Sequence, residues 1–203
     1  MMTDNGLMFF SKDGSDIKPC KKEAFRYMGY KAECGNEEFE KLYEKCNAEY
    51  KKAASYKAVM CKVPIAFKGD NIIDFGFCEI ENENLYKNLS GCDGAYVFAA
   101  TSGVAVDRLI MRYSSISPAE AMICDCIASS AIEVWCDEIN NKVKELYETK
   151  PRFSPGYGGV SLEYQKDILT FLDAQRKTAI TLNDAFMMKP VKSVTAFIGI
   201  RKF

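Results

Sequence analysis

Apolar residues recur every three or four positions between Asn36 and Tyr50: Phe39, Leu42, Tyr43, Cys46 and Tyr50, with Glu and Lys between them. That spacing predicts an amphipathic helix capped by Asn36, with its charges on a solvated face. Ahead of it, Pro19 to Tyr30 reads as a shorter helix ending near Gly29, with Ala24, Phe25 and Met28 on its apolar side. From Tyr56 to Phe67 the pattern changes to partial alternation rich in β-formers. Lys68-Gly69-Asp70-Asn71 reads as a turn and Ile72 to Phe77 as a second strand, so a hairpin is expected. Glu81 to Leu89 can form a short helix. Gly94 to Thr101 is apolar throughout, as in a strand buried on both faces.

That strand runs through Ser102-Gly103-Val104 into a helix that includes Arg108 and Arg112. Small residues there can offer amide N–H groups to an anion, or they can simply allow a tight turn. Ser117-Pro118-Ala119-Glu120 is a strong helix start, with a capping serine, a first-turn proline and a glutamate able to reach back. The helix is expected from Pro118 to Tyr147. Its middle is apolar nearly all round, which places it centrally. Glu133 interrupts that stretch, and a buried carboxylate needs a partner or a shifted pKa. Either an ion pair or a pocket that receives a cation would satisfy it.

Ser161-x-Glu163 starts another helix through about Ala174, Ala179 to Leu182 is a short extended piece, and Val191 to Ile200 is a closing strand. Hairpin, single strands and helices occur without regular βαβ alternation. The expected fold is therefore α+β: a twisted, mostly antiparallel or mixed sheet with packed helices, one of them long and central. With no repeat and no dividing linker, residues 1–203 read as a single domain, helical over 1–55 and sheet-bearing over 56–203.

Composition narrows the function. The net charge is −1, which argues against a nucleic-acid partner. The start lacks the basic and apolar regions of a signal peptide, and no stretch approaches the about 20 apolar residues of a membrane span. A cytoplasmic protein without membrane contact is expected. Nine cysteines include no CxxC pair, so they read as small buried hydrophobes and no metal site is expected. Histidine is absent altogether. No Ser-His-Asp triad or Cys-His dyad is possible, and proton chemistry near neutral pH would need a strongly shifted Glu, Cys, Tyr or Lys.

Residues 152–159, RFSPGYGG, concentrate unusual chemistry. Arg152 is a permanently charged planar fork suited to a carboxylate or phosphate. Pro155 stiffens the loop, while Gly156, Gly158 and Gly159 allow positive φ and close backbone approach. Tyr157 offers a π face to a cation. Such a loop can hold a small zwitterion with a flat ring. It can equally be a structural loop with Arg152 in a surface ion pair.

RFSPGYGG, followed by SLEYQKDI and LNDAFMMKPVKSVTAFIGI, resembles the activation domain of cobalamin-dependent methionine synthase. That family carries an Arg-x-Ala/Ser-Pro-Gly-Tyr loop and a downstream Thr/Asn-x-Ser/Ala-Phe-x-Met-x-Pro segment leading into a strand with a Ser-Val centre. Residues 131–138, AIEVWCDE, lie where the family places a Glu-bearing helix. The resemblance covers most of residues 95–200, and FRYMGY and GCDGAYVFAATSG look like stand-alone members.

The resemblance implies an S-adenosylmethionine-binding reactivation subunit that supports reductive methylation of cob(II)alamin on a separate methionine synthase. Arg152 would hold the ligand carboxylate, Phe153 and Ser154 would give backbone contacts around the nucleoside, and Gly156 would belong to the same binding loop. Tyr157 would lie near the sulfonium and the corrin, as the residue closest to the chemistry, and Glu133 would face the positive end of the ligand. With no histidine for a cobalamin-binding Asp-x-His-x-x-Gly motif, the cobalamin is expected on a partner, with a flavodoxin-like electron donor acting on the complex. Two departures bear on affinity. The family's N-terminal ligand-binding aspartate has no counterpart here, and its ligand-contacting tyrosines are expected beyond the point where this sequence stops. A non-catalytic docking module, or a reactivator of another corrinoid methyltransferase, is the alternative reading.

Overall fold

The computed structural model describes residues 6–29 and 37–202. Asn36, the expected cap, and Tyr30, the expected end of the first helix, lie outside them. The strands are β1 (Met8–Asp13), β2 (Ser55–Val63), β3 (Ala66–Lys68), β4 (Ile72–Asp74), β5 (Glu79–Glu81), β6 (Gly94–Thr101), β7 (Glu148–Thr149), β8 (Thr181–Leu182), β9 (Met188–Lys189) and β10 (Ser193–Arg201). The helices are α1 (Lys21–Tyr27), α2 (Glu37–Ala53), α3 (Glu83–Leu89), α4 (Val104–Ile116), α5 (Pro118–Lys144), α6 (Tyr164–Phe171) and α7 (Ala174–Thr178).

A five-stranded sheet in the order β1-β2-β6-β10-β7 forms the middle layer, and every pairing in it is antiparallel. The period of two in each strand sorts side chains between two cores. Tyr56, Ala58 and Met60 of β2, Tyr96, Phe98 and Ala100 of β6, and Ala196, Ile198 and Ile200 of β10 enter the core shared with α1, α2, α4 and α5. Their neighbours Val59, Cys61, Val97, Ala99 and Phe197 enter the core shared with β4, α3 and α6. All eight residues of β6 are buried, as expected for a strand covered on both faces. The fold class is thus α+β, with α5 as its long helix.

Several elements depart from expectation. Residues 55–68 do not form one hairpin strand. Pro64 has no N–H for a ladder, and β2 ends at Val63 before it. β2 instead pairs with β1 and β6, leaving only β3 to form the hairpin with β4. The expected turn holds: Asp70 and Asn71 both adopt φ 62°, as in a tight hairpin. The N-terminal part carries an edge strand, β1, as well as helices. α5 stops at Lys144, three residues short of Tyr147. The helix expected over 161–174 breaks at Asp173, which is left-handed (φ 51°), so that α6 and α7 run separately.

At the start of α5, the Ser117 hydroxyl accepts the Glu120 N–H and Pro118 sits in the first turn. Glu120 does not reach back; it turns to Lys45 at 2.6 Å and ties α5 to α2. The Ser102–Val104 segment is a tight turn: the Ser102 N–H donates to the Lys192 carbonyl and the Gly103 N–H to the Thr101 hydroxyl, leaving neither for an anion. Among the described residues, no helix is long and apolar enough to cross a membrane.

Candidate functional site

The loop after β7 is stitched to the central sheet before it turns. The Lys150 N–H donates to Gly199 at 2.9 Å, and Phe153 and Phe197 exchange two backbone hydrogen bonds at 2.9 and 2.8 Å. The Asn88 amide donates to the Pro151 carbonyl at 3.2 Å. These contacts fix Arg152 between two anchored residues, so its side chain leaves the loop in one direction, toward α5.

Beyond Phe153 the chain closes a compact turn. The Tyr157 N–H donates to Ser154, the Gly156 N–H to Val160, and the Val160 N–H to Tyr157. Asn82 and Asn84 both donate side-chain N–H groups to the Gly158 carbonyl, each at 3.1 Å. Gly156, Gly158 and Gly159 take φ of 85°, 56° and 82°, where only glycine is unstrained. The Phe153 ring lies directly on Gly158, and a Cβ there would sit 2.5 Å from the ring. Gly158→Ala is therefore expected to destabilise the fold by about 1–3 kcal/mol through overpacking and left-handed strain, read as a lower urea midpoint with unchanged slope.

Arg152 lies between two carboxylates one helical turn apart on α5. One terminal nitrogen of its guanidinium donates to Asp137 at 2.5 Å and the other to Glu133. Its side chain is 22% exposed, against 47% for Glu133 and 66% for Asp137. The Glu133 carboxylate therefore does not sit in the apolar interior, contrary to the expectation from its neighbours. Asp125, Ser129, Glu133 and Asp137 recur at every fourth position and form one polar stripe on a largely buried helix. Lys192 serves the other end of that stripe, with Asp125 at 2.8 Å and the Ser129 hydroxyl at 2.9 Å.

Desolvation of the partly buried Arg152 guanidinium tends to lower its pKa. The Asp137 and Glu133 carboxylates beside it outweigh that and hold it above its usual value. Burial pushes the Cys136 thiol beneath it well up, so that group stays protonated.

The structure thus brings Arg152 and Glu133 together and sets Phe153, Ser154, Gly156 and Tyr157 on the adjoining turn. Both backbone hydrogen-bonding groups of Phe153 are engaged with Phe197, so the backbone contact expected from Phe153 is already taken up by the sheet. Tyr157 stands out into solvent, 71% exposed, with its ring edge-on to Phe153 at 5.7 Å. Sequence reading missed Asp137, although its spacing of four from Glu133 was the available signal. It also missed Asn82 and Asn84, whose role depends on a contact distant in sequence. A hollow of about 680 Å³ lies elsewhere, between α4 and residues 189–192, lined by Asp107, Arg108, Met111, Val191 and Lys192 among others. None of the six loop and helix candidates lines it. The Arg152 cluster, by contrast, gathers one guanidinium and two carboxylates at the edge of the loop.

No protein-family model and no curated protein matches this chain. A solved structure does: the MetH reactivation domain bound to AdoHcy, with a TM-score of 0.73 and 14% identity, over 97% of this chain and 79% of that one. The chain has the fold of the MetH reactivation domain.

Proposed function

We propose that this chain binds S-adenosylmethionine on the surface formed by the 152–159 loop and α5, and serves as a reactivation subunit for a cobalamin-dependent methionine synthase carried on a separate chain. The observation that carries this reading is the Arg152 guanidinium, held at the surface against Glu133 beside a glycine turn, in a fold shared with a domain solved with AdoHcy. A ligand with an α-carboxylate and an α-ammonium is charge-complementary to that pair. Its carboxylate takes the guanidinium and its ammonium takes Glu133, so a zwitterion inserts without stranding either charge. Tyr157, exposed and braced by Phe153, offers its ring to the sulfonium.

Cobalamin would be held by the partner and would supply a cobalt centre that, reduced by one electron from a flavodoxin-like donor, takes the methyl group as its bond to the sulfonium breaks and the thioether is released. This chain's residues orient the donor and keep its methyl side open, and they work in the cytoplasm. A second reading has support as well: Arg152 is already satisfied by Glu133 and Asp137, as in a docking module without a donor site, or one serving another corrinoid methyltransferase.

The deciding experiment is spectroscopic. A methionine synthase holding cob(II)alamin is mixed with reduced flavodoxin and S-adenosylmethionine, with and without this chain. The proposal expects the methylcobalamin spectrum to develop only when the chain is present. Complex formation without remethylation would favour the docking reading.

A further inference from the structure

The Arg152 cluster carries one carboxylate more than a zwitterion needs. Arg152 contributes one positive charge, and Glu133 and Asp137 each contribute a formal negative charge. Nearby cations do not neutralise the surplus: Lys192 is committed to Asp125 and Lys12 to Glu138. Once a ligand carboxylate lies on Arg152 and a ligand ammonium on Glu133, Asp137 keeps a charge without a counterpart among those groups.

We infer that Asp137 is a specificity-determining residue of this site, favouring a cationic sulfonium donor over its uncharged thioether product. The inference rests on the proposed function. S-adenosylmethionine carries a carboxylate, an ammonium and a sulfonium, for one net positive charge. Loss of the methyl group removes the sulfonium charge and leaves a net-neutral zwitterion. Apart from that charge the two ligands differ only by one methyl group, so a charge in the site is the strongest means of separating them. The sulfur is three bonds from the α-carbon, which keeps it within a Debye length of about 10 Å from Asp137 at 0.1 M salt. A surplus negative charge at that range retains the loaded donor and eases release of the spent one. Asp137 is well exposed, so water screens the effect to about three- to tenfold in relative affinity.

The test is calorimetric titration of the wild-type protein, Asp137→Asn and Asp137→Glu with S-adenosylmethionine and S-adenosylhomocysteine, at low and high salt. Asparagine keeps an oxygen acceptor for Arg152 and removes only the charge. The expected result is a preference for the sulfonium ligand in the wild type, narrowed about three- to tenfold in Asp137→Asn, restored in Asp137→Glu and weakened by salt. Equal losses for both ligands in Asp137→Asn, or an unchanged ratio, would overturn the inference while leaving the proposed function standing. A wild-type protein that binds neither ligand, alone or with a cobalamin-loaded methionine synthase present, would remove both.

Discussion

Trp135→Ala is expected to lower the unfolding free energy by about 3–5 kcal/mol. Trp135 is 1% exposed in the middle of α5, among the largest fully buried side chains of the molecule. Its ring packs against Tyr56 of β2 at 6.0 Å, so it joins the long helix to the central sheet. Its indole N–H donates to the Lys57 carbonyl at 3.4 Å, and truncation removes that donor as well as opening a cavity. The site shares this dependence. Glu133 and Asp137 flank Trp135 in sequence, and the packing of the indole fixes how far their carboxylates stand from Arg152. Denaturant unfolding followed by far-ultraviolet circular dichroism measures the loss. A change below about 1 kcal/mol would mean that the α5–sheet contact is not a principal element of the core.

Arg152→Ala is expected to weaken S-adenosylmethionine binding by about 1.5–3 kcal/mol, or roughly 10- to 150-fold. The guanidinium is the one cation on the loop aimed at α5, and alanine removes both arms of the fork. Fold stability should change far less, because the two carboxylates it meets are substantially exposed and such pairs contribute little. The two readouts therefore separate: affinity falls while the urea midpoint stays nearly constant. Arg152→Lys keeps the charge without the planar fork and is expected to fall between wild type and alanine. An alanine variant with wild-type affinity would remove Arg152 from the ligand site.

The parts of this molecule that follow local rules were legible in the sequence. The apolar run of β6, the Ser117-Pro118 start of α5 and the Asp70-Asn71 turn each depend on neighbours within a few residues, and each appears where the pattern placed it. The positive φ at Gly156, Gly158 and Gly159 was readable for the same reason. What the pattern missed depends on partners far along the chain. β1 is an edge strand whose pairing with β2 spans helices α1 and α2, and Met8 to Asp13 alone show only a weak alternation. The hairpin error came from reading β-formers across Pro64 as one strand. The environment of Glu133 was misjudged because its sequence neighbours Ile132, Val134 and Trp135 point around the helix, whereas its spatial neighbours on the stripe, Ser129 and Asp137, lie four positions away. The identity of its partner, Arg152, was open until the loop's hydrogen bonds to Gly199 and Phe197 set its direction.

The most direct test of the account is a calorimetric titration of the purified chain with S-adenosylmethionine. A saturable single-site isotherm, lost or strongly weakened in Arg152→Ala, is the predicted result. Absence of heat in the wild type, both alone and with a cobalamin-loaded methionine synthase present, would contradict it.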